Sequence, residues 1–144
     1  VIVVDTNVLS EPLRREPDRR VLEWLARNAG QLVLTTITIA ELRYGAMRLP
    51  EGTRRTALLL AVDRLVDEAG DRAVPFDVEA AHAYAAIRSM REARGRSISV
   101  EDTMIAAICR SRGYALATRN IRDFDDVGLS LFDPWSAQDL HRDD

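Results

Sequence analysis

A chain of 144 residues fits one domain, and at that size folding buries about 68–70% of the surface the unfolded chain exposes, so a core-bearing enzyme needs no staples. The net charge of −3 argues against a general nucleic-acid coat, and all 20 basic residues are arginine. Without lysine, P-loop and Schiff-base chemistry are excluded. The arginine bias is expected to reflect a GC-rich genome, although each guanidinium can grip phosphate bidentately. One cysteine excludes an internal disulfide framework and suits a reducing compartment. With no signal peptide and no long apolar run, the expectation is a soluble cytoplasmic protein with no membrane partner. Val rather than Met stands first, so the numbering is expected to be offset from the gene.

The chain opens on Val1-Ile2-Val3-Val4, four β-branched apolar residues without polar alternation. That pattern predicts a strand covered on both faces, as parallel sheets require. Asp5-Thr6-Asn7 follows, and Asp5 leaves the core at the edge where open α/β sheets carry their chemistry. After a short helical stretch and a turn at Arg14–Asp18, Val21, Leu22, Leu25 and Ala29 form an apolar helix face that Gly30 ends. Leu32–Thr35 reads as the second strand. A helix from about Thr38, with Ala40, Tyr44 and Met47 on one face, breaks near Pro50 and Gly52. The next runs from Thr53 to Ala69 with Leu58, Ala61, Val62, Leu65 and Val66 inward.

Ala73–Phe76 is a short third strand whose Pro75 places it at an edge or a strand end. Asp77 is set to cap a long helix reaching Ala93. Ser99-Val100-Glu101-Asp102 starts the helix that buries Met104, Ile105, Ile108 and Cys109 and stops at Gly113. Tyr114–Thr118 is the fourth strand, a turn-rich segment runs through Phe124, and Leu129–Phe132 is the last strand. Trp24 and Trp135 read as packing residues. Strands alternating with helices predict one α/β domain over residues 1–144, built on a parallel sheet of four to five strands.

In this layout Asp5 follows the first strand, Glu41 and Asp102 lie in the first turns of helices, and Asn120 and Asp123 follow the fourth strand. If these ends converge, three or four carboxylates share a pocket. Two carboxylates about 4 Å apart repel by roughly 4 kcal/mol at an effective dielectric near 20, so such a cluster protonates or holds a cation. Oxygen-only ligands suit Mg²⁺ or Mn²⁺. Zinc is disfavoured, since the histidines are His82 and His141 and Cys109 sits on an apolar helix face. Each acid also has a structural reading. Asp5 can cap a helix, Glu41 can belong to a capping box begun at Thr38, Asp102 to one begun at Ser99, and Asp123 can bridge turn amides.

Four segments together, Asp5–Glu11, Thr38–Gly45, Asp102–Ala107 and Thr118–Phe124, closely resemble the PIN-domain ribonucleases of the VapC toxin type in order, spacing and coverage of the chain. The resemblance implies a three-layer α/β/α PIN domain and a Mg²⁺- or Mn²⁺-dependent endoribonuclease of a type II toxin–antitoxin system. It implies a homodimer held inactive by a VapB-type antitoxin, with DNA met only through that antitoxin. It matches Asp5, Glu41 and Asp102 to the family's most regular acids. Where many relatives place an acid two residues after the fourth-strand Thr, this chain has Asn120, with Asp123 one turn further. Either Asp123 supplies the last carboxylate or Asn120 orients a water.

The expected chemistry has Asp5 and Asp102 holding the ion with help from Asp123, while Glu41 orients or deprotonates the attacking water. Thr6, Asn7, Thr118 and Asn120 are expected to assist, the two threonines by positioning phosphate or water. RNA affinity must come from nearby cations, and Arg88, Arg91, Arg94 and Arg96 are candidates, with a solvated surface as the alternative. Receiver-type phosphoacceptors and aspartate-nucleophile phosphatases fall low, because both want a lysine and the latter a second Asp where Asn7 stands. The rival that remains is a PIN-like module that binds RNA or antitoxin without cutting.

Overall fold

The structure, a computed structural model, describes residues 1–136. His141 and positions 137–144 of the expected single domain lie outside it. Five strands, β1 (Ile2–Val4), β2 (Leu32–Thr35), β3 (Ala73–Val74), β4 (Ala115–Ala117) and β5 (Leu131–Phe132), form one sheet in the order β3-β2-β1-β4-β5. Every pairing is parallel. Six helices flank it: α1 (Thr6–Ser10), α2 (Arg19–Asn28), α3 (Thr36–Met47), α4 (Thr53–Ala69), α5 (Val78–Ala93) and α6 (Val100–Arg112).

Period-two alternation sends successive strand residues to opposite sides, and both sides are apolar. Val3, Leu116 and Leu131 meet Ile87 of α5 and Ile105 and Ala106 of α6, with Phe124 and Val127 completing that core. Val4 packs with Val8 of α1, Val21 of α2 and Trp135, while Ile2 and Ala117 pack with Trp24. The unbroken valine run of β1 is thus what a strand needs when helices cover both its faces. Both tryptophans are buried. β3 is an edge strand, as Pro75 requires, and it stops at Val74, because proline brings no N–H to the next ladder position.

Helix boundaries follow their caps. Asp18, Asp77 and Ser99 accept hydrogen bonds from Arg20, Ala80 and Asp102 backbone N–H groups, and Gly113 leaves α6 at φ 70°, a conformation glycine adopts without strain. α3 differs from expectation at its start. It starts at Thr36, capped by Thr35, and the face of Ala40, Tyr44 and Met47 points outward, with Tyr44 65% and Met47 51% exposed. Ile37, Thr38 and Ala46 carry its inward side instead. On α4 only Val62 of the five expected inward residues is fully buried, and Val66 is exposed. Among the described residues no helix is long and apolar enough to cross a membrane.

Ile105 is fully buried in the larger core. Ile105→Ala is expected to destabilise the protein by about 2–5 kcal/mol through lost contacts and the cavity left behind. Urea unfolding checks this as a lower midpoint at unchanged slope.

Candidate active site

β1 and β4 lie side by side in the middle of the sheet, Val4 opposite Ala117. The chain leaves β1 toward β2 on one side and β4 toward β5 on the other, so the strand order reverses between them. The crevice beyond their carboxyl ends is where open α/β sheets take ligands. The Asp5 N–H donates to the Ala117 carbonyl at 2.9 Å, extending the ladder by one residue, and the Thr118 N–H donates to Phe132 O at 2.9 Å on the other side. From these adjacent ends the buried Thr118 hydroxyl donates to Asp5 Oδ2 at 2.8 Å. Asp5 Oδ1 accepts from the Thr6 N–H at 2.7 Å. The capping reading of Asp5 therefore holds, and its carboxyl also sits at the crevice. Burial pushes that carboxyl above the usual range against those two hydrogen bonds, and the charges of Glu41 and Asp123 push the same way.

Glu41 is placed by α3, but not as a capping partner. The cap is Thr35, whose Oγ1 accepts from the Thr38 N–H at 3.1 Å, which leaves Glu41 in the second turn rather than the first. Its Oε1 accepts from the Thr6 hydroxyl at 2.7 Å. Burial raises its pKa, and Asp102 and Glu101 add to the effect. Asp102 does take part in a cap, its N–H donating to Ser99 Oγ at 3.1 Å. Its carboxyl is pushed up to about 6, by burial first and then by Asp5, with Asp123 and Glu101 contributing. A helix N-terminus by itself favours the ionised form, so burial and the acids around it win.

Asp123 ends a 3₁₀ turn over Ile121–Asp123 and is half-buried. Its carboxylate accepts no hydrogen bond among the described residues, so it does not bridge turn amides. Its charge is felt at both Asp5 and Asp102. Asn120 is exposed and contributes its backbone, whose N–H donates to Thr118 Oγ1 at 3.1 Å. Asn7 is exposed as well, and its carbonyl accepts from the Ser10 hydroxyl at 3.1 Å. Thr6 and Thr118 spend their hydroxyl protons on Glu41 and Asp5, orienting carboxylates rather than standing free for phosphate. Sequence reasoning passed over Thr38, whose Oγ1 lies 3.2 Å from Thr6 Oγ1, and Glu101, whose charge raises two of the acids. The second was signalled by its place beside Asp102.

The four arginines proposed for RNA do not form a free basic face. Arg91 is buried and pairs with Asp126, while donating to the Asp123 carbonyl. It is thereby corrected from RNA contact to internal partner. Arg94 and Arg96 also reach Asp126, at 3.5 and 3.4 Å, and Arg96 pairs with Asp125 at 3.1 Å. Arg88 binds Glu92 and the Tyr84 hydroxyl. Asp125 and Asp126 thus consume much of the charge at and beyond the end of α5.

Among the described residues no three acids, histidines or cysteines stand close enough to hold a metal ion as they are. The donor chemistry still fits a hard divalent cation. It is oxygen only, three of its carboxyls are pushed up by burial and by one another, and none of the four is ion-paired with an arginine among the described residues.

A PIN-domain family model matches residues 2–129, and the chain belongs to that family. It is 39% identical over 139 residues to the plasmid stability protein StbB of Pseudomonas syringae pv. tomato, covering 95% of this chain and 100% of the relative. To a VapC ribonuclease of Sinorhizobium fredii it is 38% identical over 137 residues, covering 94% and 98%. Among solved structures, FitAcB from Neisseria gonorrhoeae superimposes with a TM-score of 0.87 at 36% identity, covering 94% of this chain and 99% of that one. DNA-bound VapBC from Salmonella typhimurium gives 0.80 at 25% identity, covering 92% and 97%. Within the PIN family, this is a VapC-type ribonuclease toxin of a VapBC toxin–antitoxin system.

The raised Asp102 carboxyl has a measurable consequence. Between pH 4 and about 6 the unfolded chain ionises this group while the folded protein keeps it protonated. Its contribution to stability is therefore present at low pH and lost as pH rises through about 6. In chelator-treated protein the thermal midpoint of wild type is expected to fall across that window relative to Asp102→Asn, whose curve lacks this component. Parallel pH dependences for the two proteins would contradict it.

Proposed function

We propose that the chain hydrolyses RNA phosphodiester bonds as a Mg²⁺- or Mn²⁺-dependent endoribonuclease. The observation that carries this is the meeting of Asp5, Glu41, Asp102 and Asp123, from four separate segments, at one crevice without a compensating cation from the chain. Asp5 and Asp102, joined by Asp123, would hold the ion. When bound, such an ion acidifies water and neutralises the scissile phosphate. Glu41 takes the proton of the attacking water. The Thr6 hydroxyl on Oε1 leaves Oε2 for that proton. Thr118 keeps one Asp5 oxygen oriented. Hydrolysis by water leaves a 5′-phosphate and a 3′-hydroxyl.

A groove of about 300 Å³ runs from Thr6 and Glu41 between α1, α3 and α4, lined by Leu13, Leu42, Leu58 and Val62 and flanked by Arg14 and Arg54. Arg54, at the rim of that groove and without an ion pair among the described residues, is better placed than the arginines of α5 to draw in an RNA backbone, with Arg14, paired to Glu11 at 3.4 Å, beside it. The apolar lining suits a VapB-type antitoxin segment, whose seating there would block Glu41, and DNA would then be met through the antitoxin. Cytoplasmic residence belongs to the same reading. The outward α3 face of Ala40, Tyr44 and Met47 is the surface we assign to a homodimer.

Wild type and Asp5→Ala are to be compared on total RNA with Mn²⁺ and with EDTA, mapping product ends. Cleavage only by wild type with Mn²⁺, leaving 5′-phosphates, is the expected result. Rates are expected to fall about 100-fold or more in the variant, since it loses a metal-holding carboxylate. Equal cleavage by both proteins removes Asp5 from the mechanism, 2′,3′-cyclic ends remove the water, and RNA binding without cleavage favours the binding-only module. Light scattering checks the dimer, with Tyr44→Asp expected to shift wild-type dimer to monomer.

A further inference from the structure

Of the four acids, Asp123 alone stands on a loop turn rather than on a strand end or a helix. A side chain that must meet Asp5 and Asp102 from such a turn needs support from outside it. That support is not local. Its own carboxylate accepts no hydrogen bond among the described residues, and its N–H donates to Asn120 O at 3.0 Å. The Asp123 carbonyl, one bond from the carbon that bears the side chain, accepts from Nη2 of Arg91, 32 residues earlier in the last turn of α5. The same Nη2 contacts Asp126 Oδ1. Arg91 Nε has no acceptor among the described residues, so the guanidinium is held through Nη2. Arg96 adds a second tie, donating to the Arg122 carbonyl at 2.9 Å, and Phe124 roots the turn in the core.

We propose that Arg91 is a positioning residue, which grips the Asp123 carbonyl while neutralised by Asp126 and so sets where the Asp123 carboxylate meets Asp5 and Asp102. Burial of the pair does not argue for stability, since apolar side chains of similar volume commonly do as well or better in such a place. Directional bonding to a backbone carbonyl is what an arginine supplies there and a leucine cannot. The proposal rests on the metal-holding role of Asp123 given above.

The test uses the full chain, well below the unfolding temperature of each variant, with Arg91→Met, Arg91→Lys and Asp126→Asn. In chelator-treated protein, hydrogen exchange at amides 121–126 should rise about tenfold or more in Arg91→Met, while β4 and the centre of α6 stay protected. Arg91→Lys, which keeps a charged donor, should restore part of that protection. Calorimetry should find Mn²⁺ bound about tenfold more weakly by Arg91→Met, with no further loss when the change is added to Asp123→Ala. Asp126→Asn, which keeps an acceptor oxygen, should fall between and carries the test if Arg91→Met does not fold. Unchanged exchange, or a loss of Mn²⁺ affinity that adds in full to that of Asp123→Ala, overturns the proposal. A wild type that binds no Mn²⁺ sinks the metal reading alone, and the exchange result still decides whether Arg91 holds the turn.

Discussion

The hydrogen bond from Thr118 to Asp5 is the contact on which the rest of the arrangement depends. It links the carboxyl ends of two neighbouring strands whose residues are 113 positions apart. It forms only because β1 and β4 pair in the register that puts Val4 opposite Ala117. A shift of one residue between the two strands would put the Asp5 and Thr118 side chains on opposite faces of the sheet. The apolar coverage of both sheet faces enforces that register, so packing in the two cores and polar order at the crevice are one constraint. Thr118 Oγ1 also accepts from the Asn120 N–H, so the same hydroxyl anchors the start of the turn that bears Asp123.

Around that contact the acids are kept in an unfavourable state. Burial and mutual repulsion raise the carboxyls of Asp5, Glu41 and Asp102, and the arginines that could have relieved them are engaged elsewhere. Arg91, Arg94 and Arg96 face Asp125 and Asp126. The chain therefore separates two acidic groups only a few residues apart, one neutralised internally and one left without an arginine partner among the described residues. Strain of this kind concentrates where binding can relieve it.

Much of this was legible in the sequence because it is local or periodic. The valine run of β1, the caps at Asp18, Asp77 and Ser99, and the glycine after α6 each depend on a few adjacent residues. The parallel sheet followed from their alternation. Asp5, Glu41 and Asp102 were legible as acids near strand or helix ends, although Glu41 was read one turn too early, since Thr35 and Thr38 are both fit to cap and only the backbone decides between them. The pairs of Arg91 and Arg96 with Asp125 and Asp126 were hidden, because spacing along the α5 face says nothing of a loop some 30 residues later. The outward Tyr44 and Met47 were hidden for a similar reason. An apolar stripe on a helix looks the same whether it meets a core or faces away from it.

The strand order has a further consequence for how such a molecule is made. Among the described residues the first strand in chain order is the central one, and its partner across the crevice, β4, follows α6. On the ribosome a nascent chain can pair β1 with β2 and wrap α1 to α4 early. Asp102, Thr118 and Asp123 all follow α4 and α5 in the chain, so it still lacks them at that point. The groove between α1, α3 and α4 is encoded wholly upstream of those residues. The surface proposed for a restraining partner is thus complete in the polypeptide before the four acids can meet.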